Sequence, residues 1–454
     1  MKSSSAKLRK TTPTQNACKL CAPLGASLAF RGVQGAMTVL HGSQGCATYI
    51  RRYVIGHFRE PIDIASSSFT EETTIFGGAR NLIDALQNVL TQYSPSLIGV
   101  ASTCLSETIG EDLEGHVREF YRTRADLPTP PIVTVATPSY RGTHMDGLHA
   151  TTQALVKRLA EKGSQPRAVN LFPGMVSPAD LRLLREITES FDLEPILISD
   201  YSDTLDGGSW KEYERIPSGG TSPDSLRLSG AAGGSLQFGR TVPKALSGAE
   251  YLSESFGVPS FSLGLPIGIV ETDRFLEALS RISGRPVPLR YQSERARLVD
   301  AYVDGHKYVF GKRAAVYGEE DLVVGIAALL SEIGVELALC ASGGNSGRIR
   351  SALSDAGVTI DNNTQILSNA DFEEIGRAAE ESGADLLIGH SKGYSVARKM
   401  NIPLVRAGFP VHDRIGGQRI LHLGYEGSMS LFDRIVNAII ERTQADSAIG
   451  YLTY

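Results

Sequence analysis

Three short stretches put a cysteine where a helix is about to begin: "CAPLGASLAF" from Cys21, "HGSQGCATYIRRY" around Cys46 and "STCLSETIGED" around Cys104. The thiolate is the metal-binding form of cysteine, and the unpaired amides of a helix N-terminus favour an anion there. Gly42 and Gly45 before Cys46 let the chain turn tightly and approach a bulky ligand. Pro23 suits a first helical turn behind Cys21. Three thiols placed in this way can converge on one anionic, sulfur-rich metal centre.

Spacing narrows the nature of that centre without settling it. Structural zinc sites usually draw on locally paired ligands. The only close pair here is Cys18 and Cys21, and the next thiols follow 25 and 58 residues later. Such dispersed thiols suit an iron–sulfur cluster at a domain or subunit boundary. They equally suit buried cysteines acting as small hydrophobes, and the Cys18–Cys21 pair alone would serve a redox dithiol. Four of the five cysteines fall in the first quarter of the chain, which a random scatter seldom produces. Cys340, inside "VELALCAS", reads as core.

The elements that must position these residues alternate between strand and helix. "SLIGVAST" (96–103) reads as a buried strand and "SETIGEDLEGHVREFYR" as the helix after it. The strand "PIVTVATPS" precedes a helix over 149–163. A second group opens with "AVNLF" (168–172) and a helix capped by Ser177 with Pro178 in its first turn. Residues 201–245, rich in Gly and Ser, read as surface loop with short elements. A third group runs from "RAAVYG" to the closing helix "SMSLFDRIVNAIIERT". This alternation predicts an α/β fold of three Rossmann-like domains with parallel sheets flanked by helices. The expected boundaries are 1–155, with a polar N-terminal arm ahead of the first sheet, then 156–310 and 311–454. Ligands of such sheets bind beyond the carboxyl ends of the strands, where Cys104 and Ser139 fall.

Composition excludes several classes. The 42% hydrophobic and 21% charged fractions are ordinary for a soluble globular protein. A net charge of −5 with no basic tract argues against nucleic acid, and no apolar run nears the roughly 20 residues that span a membrane. "MKSSSAKLRKTTPTQNAC" lacks the apolar core of a secretory signal. An odd cysteine count speaks against a disulfide framework and for a reducing compartment, so a cytoplasmic location is expected. No G-x-x-x-x-G-K-[ST] occurs, so any nucleotide hydrolysis belongs to a partner. "SGGNSG" reads as a plain strand-to-helix turn, and "GHSKG" does not fit a nucleophile elbow. His41 reads as a satisfied turn histidine, and Glu107, Glu111 and Asp112 as acidic helix-start residues. Arg51, Arg52, Arg59 and Glu60 suit a charge-balancing or subunit-contact role, with a solvated helix face equally open for the first two.

Taken together, "CAPLGA", "HGSQGC", "HFREP", "TEETTIFGG", "STCLSETIGED" and "ATPSYRGTH" resemble the β-type subunit of nitrogenase and nitrogenase-like component 1 proteins. The resemblance continues through "LPIGIVETDRFLEALSRISGRPVP", "DLLIGHSKG" and "IPLVRAGFPVHDR" and so covers nearly the whole chain. It implies that Cys21, Cys46 and Cys104 ligate half of a P-cluster-type iron–sulfur cluster (8Fe-7S) shared with an α-type subunit in a heterotetramer. It implies also that Ser139 can ligate an iron when that cluster is oxidised. Phe76 matches a position on the surface where an ATP-dependent iron–sulfur reductase docks. The catalytic cofactor would belong to the α-type partner, so this chain supplies no ligand to it. Cys18 has no counterpart in the pattern.

The expected function is therefore an electron-relay subunit of a nitrogenase-like reductase acting on dinitrogen or, in relatives, on methylthio-alkanes. The alternative is a non-catalytic scaffold for iron–molybdenum cofactor assembly, holding a simpler 4Fe-4S cluster. In some scaffolds the positions matching Cys21 and Cys104 are not cysteine, which favours the first reading. A metal-free α/β metabolite-binding protein is the third.

Overall fold

The computed structural model describes residues 16–124, 128–209 and 212–450. The polar arm expected at the N-terminus lies outside the described residues as far as residue 15. Short apolar runs bounded by Gly, Ser and Pro form three sheets in which every neighbouring pair of strands is parallel.

The first sheet contains β1 (Ala36–His41), β2 (Ile64–Ser66), β3 (Leu97–Ser102) and β4 (Ile132–Val135), in the order β2-β1-β3-β4. β1 and β3 are buried at every position, as expected of parallel strands covered on both faces. The helices around this sheet are α1 (Ala22–Arg31), α2 (Gln44–Phe58), α3 (Glu71–Phe76), α4 (Ala79–Tyr93), α5 (Cys104–Ile109), α6 (Leu113–Thr123) and α7 (His144–Leu159). The second sheet runs β6-β5-β7-β8, from β5 (Gln165–Phe172), β6 (Glu194–Leu197), β7 (Ala232–Phe238) and β8 (Ser260–Leu263). The third runs β11-β10-β9-β12-β13, from β9 (Arg313–Gly318), β10 (Glu336–Ser342), β11 (Gln365–Leu367), β12 (Leu386–Gly389) and β13 (Leu404–Arg406). The three-sheet α/β architecture matches the expectation.

Two local expectations are corrected. Residues 201–245 do not form only loop, because they contain β7, an inner strand of the second sheet. Gly233 and Gly234 break its apolar pattern, and packing explains the first of them. A Cβ at Gly233 would lie 2.2 Å from the Pro166 carbonyl oxygen, where the β5–β7 register shifts. The helix expected after Cys104 is two helices. Gly110 takes the left-handed conformation (φ +80°), ends α5, and Asp112 starts α6 by accepting the Gly115 amide at 2.9 Å.

Helices α1 and α7 lie unusually close, and this matters for the site. A Cβ at Gly25 would fall 1.7 Å from the His144 carbonyl oxygen, and one at Gly147 would fall 2.0 Å from that of Ala22. Only glycine lets the two backbones touch, so the start of α1 is held against the start of α7.

The helix Pro178–Glu189 begins as read, with Ser177 capping and Pro178 in the first turn. Its Asp180 does more than complete the cap. This fully buried carboxylate accepts from the amides of His422 (2.7 Å) and Leu423 (3.0 Å) and from the Ser177 amide (3.1 Å), and it pairs with His422 Nδ1 at 2.9 Å. It therefore ties the second sheet's helix to the segment that starts the closing helix Gly424–Asp446. Burial by itself pushes the Asp180 carboxyl up, but the His422 imidazole and the two amides outweigh it and leave the group below its ordinary value.

Candidate metal centre

β1 and β3 are neighbours, and the sheet order reverses direction between them, so their carboxyl ends form the topological switch point. His41 at the end of β1 lies opposite Ser102 at the end of β3. Thr103 Oγ1 donates to the His41 carbonyl at 3.1 Å and fastens the two turns together. From the first turn Ser43 caps α2 and Cys46 is its third residue, while from the second Thr103 caps α5 and Cys104 is its first residue. Cys21 is the N-cap of α1, in extended conformation.

The close packing of α1 on α7 carries Cys21 to the turn that follows β4. There Ser139 Oγ accepts from the Ala22 amide at 3.1 Å, and the Ser139 amide donates to Cys104 Sγ at 3.2 Å. Ser139 thus touches the starts of both α1 and α5. The thiols sense one another as well. Burial, then the charges of Cys46 and Cys104, push Cys21 up to about 11 despite a hydrogen bond from the Leu24 amide. Burial and Cys104 likewise push Cys46 up.

The helix start does lower Cys21 through the Leu24 amide, but the net position of both thiols is raised, contrary to the simple expectation from the dipole. Burial and mutual repulsion win, because removing a thiolate from water penalises the charge more than one helix turn rewards it. Three thiols, two of them pushed up by burial and by their neighbours' charge, form with a hydroxyl and an amide donor a soft donor set that a multiply charged metal centre would neutralise. That donor chemistry fits an iron–sulfur cluster. Cys104 is exposed and Cys21 and Cys46 are half-buried, so the patch faces outward from this chain.

Cys18 is not part of this patch. Its sulfur lies 3.6 Å from His390 Nε2 and packs with Tyr317 and Phe372 in the core of the third sheet, while Cys21 packs against a different core. Burial pushes its thiol up to about 12. The Cys18 amide donates to the Ala370 carbonyl, and a Cβ at Gly343 would meet the Cys18 carbonyl oxygen at 2.2 Å. Gly343 of "SGGNSG" therefore admits this segment, in agreement with a plain turn. A Cys18→Ala variant should bind as much iron as the parent, measured by metal analysis, and lose about 1 kcal/mol of stability in a melt. Cys340 is fully buried in β10, as read from the sequence.

The sequence reading missed a polar cluster beside the switch point. His41 is buried, with Nδ1 3.0 Å from Ser67 Oγ and Nε2 3.0 Å from Glu111 Oε2. His116 Nε2 meets that same oxygen at 2.9 Å, and Glu111 Oε1 accepts the Gly78 amide at 2.8 Å. Glu111 is thus not a helix-start residue, since it lies in the turn between α5 and α6 and its carboxylate joins distant elements. Burial pushes its carboxyl up, but the Gly78 amide and both imidazoles hold it below its ordinary value. Glu107 and Asp112 do occupy helix starts. The signal in the sequence was His116, one turn into α6, which no motif reading included.

Two further features border the site. Helix α3 buries none of its residues, leaving Ile75 75% and Phe76 83% exposed, and it leans on α5. Inward from Ser139, a cavity of about 430 Å³ lies between the carboxyl ends of strands from all three sheets, with Lys19, Thr241, Glu320 and Asn345 among its walls. Arg51 donates to the Ile62 carbonyl and pairs with Asp63, so it serves its own domain.

A family model described as "Nitrogenase component 1 type Oxidoreductase" matches residues 21–440. The chain belongs to this family. Among relatives of known name, this nitrogenase component 1 type oxidoreductase is 34% identical over 437 residues to the "Nitrogenase molybdenum-iron protein beta chain" of Methanothermobacter thermautotrophicus, covering 92% of this chain and 93% of that one. It is 32% identical over 443 residues to the "Nitrogenase iron-molybdenum cofactor biosynthesis protein NifN" of Bradyrhizobium diazoefficiens, covering 95% and 91%. A solved structure, "Nitrogenase Cp1 at pH 6.5", superposes with a TM-score of 0.92 at 32% identity and covers 98% of both chains. Among the described residues no helix is long and apolar enough to cross a membrane.

Proposed function

We propose that the chain is the β-type subunit of a nitrogenase-like two-component reductase, with Cys21, Cys46, Cys104 and Ser139 holding one half of a P-cluster-type iron–sulfur cluster. The observation that carries this reading is the meeting of the Cys21 and Cys104 helix starts at Ser139, with the turn that bears Cys46 fastened to the Cys104 turn, on an outward-facing patch. An α-type partner covering that patch would complete the cluster, in a heterotetramer like that implied by the family. When bound, such a cluster supplies one-electron relay towards the partner's catalytic cofactor.

The chain's own residues orient and insulate. The close approach of α1 and α7, Gly25 against His144 and Gly147 against Ala22, fixes where Cys21 sits relative to Ser139. The Ser139 amide hydrogen-bonds Cys104 and tempers its charge. Ser43 and Thr103 hold the two turns that present Cys46 and Cys104. Ile75 and Phe76 form an apolar tip that suits a docking reductase, and α5 links that tip to Cys104. Phe76→Ala should leave the fold and iron content unchanged. Losing one aromatic anchor costs about 2 kcal/mol, so reductase affinity should fall roughly 30-fold. Salt-controlled binding of the purified reductase to the complex measures this, and unchanged affinity rejects the docking role of Phe76.

The second reading, a scaffold for cofactor assembly holding a 4Fe-4S cluster, is favoured by the nearly equal identity to the cofactor biosynthesis relative and to the β chains. Iron analysis and electron paramagnetic resonance of the anaerobic complex separate the two. An eight-iron cluster with ATP-dependent reduction of dinitrogen or a methylthio-alkane supports the reductase. A four-iron signal without turnover rejects it in favour of the scaffold.

A further inference from the structure

We propose that His41, Glu111 and His116 form a second metal site, made for a divalent first-row cation of the zinc type and built from two imidazoles and one carboxylate. The three ligand atoms lie within 4.8 Å of one another. Both imidazole Nε2 atoms converge on a single oxygen, Glu111 Oε2, at 3.0 and 2.9 Å. Ligands held about 2.0–2.1 Å from a tetrahedral ion stand roughly 3.3 Å apart. The two imidazole–carboxylate contacts therefore open by a few tenths of an ångström, and the two imidazole nitrogens, within 4.8 Å of each other, adjust to the same separation.

The outer contacts are those of a metal site. His41 Nδ1 faces Ser67 Oγ at 3.0 Å, and that oxygen is itself fixed by the Gly42 amide at 2.9 Å. Without an ion His41 Nε2–H donates to Glu111 Oε2. An ion would displace that proton, leaving Nδ1–H on Ser67 Oγ and the Nε2 lone pair on the metal, the arrangement that orients metal-bound histidines. The second carboxylate oxygen of Glu111 is held by the Gly78 amide at 2.8 Å. Burial pushes the His41 imidazole below its ordinary value despite the Glu111 carboxylate beside it. The Phe69 ring closes one side of His41 edge-on at 4.8 Å. The other side opens at His116, whose side chain is 22% exposed and gives an ion its entry path and a water its coordination position.

Two stretches about 70 residues apart in the chain meet here: the end of β1, and the turn before α6 with the first turn of α6. The Gly78 amide brings in the turn directly behind Phe76. An ion would therefore brace the base of the exposed tip. The site contains no sulfur, so it stands or falls independently of the iron–sulfur reading.

The test uses the purified complex, as isolated, dialysed against Zn²⁺. The parent should retain one zinc per chain more than His116→Ala and His116→Gln, and the zinc absorption edge of that ion should show nitrogen and oxygen neighbours only. Outer-shell changes at metal sites weaken binding about 10–100-fold, so Ser67→Ala should fall in that range and Glu111→Gln beyond it. Melting curves establish that the variants are folded, and the two replacements at the partly exposed His116 guard against a misfolded one. Equal zinc in parent and both His116 variants, or a shell containing sulfur at about 2.3 Å, overturns the site.

Discussion

Cys46→Ala should strip the complex of its shared cluster iron and reduce ATP-dependent turnover to background. Cys46 is the third residue of α2, on the turn that Thr103 fastens to the Cys104 turn, so its sulfur has no local substitute. Burial already pushes Cys21 and Cys46 up, and each rises further through its neighbours' charge. A metal centre offsets that burial and repulsion, so a cluster deprived of one thiolate ligand is no longer held. Cys340→Ala is the control, since that fully buried thiol lies in another sheet and should leave iron unchanged. Iron per complex is the primary measurement and applies to a relay subunit and a scaffold alike. Full iron content in Cys46→Ala would refute its assignment as a ligand.

Asp180→Ala should be the most destabilising single change outside the metal centre. It leaves the amides of His422, Leu423 and Ser177 and the His422 ring without their acceptor in a fully buried position. Breaking a buried charged network from one side costs about 3–5 kcal/mol. Asp180→Asn, which keeps one carbonyl acceptor, should fall between parent and alanine variant in thermal melts of the complex.

The pH dependence has a definite sign. The folded carboxyl of Asp180 is lowered, so its contribution is present above the unfolded aspartate value, about 3.9, and disappears as pH falls through the folded value. Parent and Asp180→Asn should therefore converge in melting temperature on acidification and separate towards neutrality. A gap that stays constant from neutral pH down through that region would remove the carboxylate's charge from the account.

Much of the architecture was legible because parallel strands and helix starts are written in local chemistry. The buried runs of β1 and β3 announce themselves, and so do the Ser177–Pro178 cap and the cysteines placed after glycine, before proline or before acidic residues. β7 was not legible, because its glycines answer to the Pro166 backbone on a neighbouring strand. The break at Gly110 was missed because isolated glycine is tolerated in helical patterns, and only the left-handed conformation ends the helix.

The sequence by itself determined the α/β class, the helix starts that carry Cys21, Cys46 and Cys104, and the burial of Cys340. Tertiary structure alone decided which of these residues are neighbours. It divided Cys18 from Cys21 although only two residues separate them, sending one to the third sheet's core and the other to the Ser139 turn. It also joined His41, Glu111 and His116 across three elements. The physical reason is reach. Caps, turns and periodicity act within a few residues, whereas packing of α1 on α7 and pairing of β1 with β3 depend on surfaces that exist only once the chain has folded.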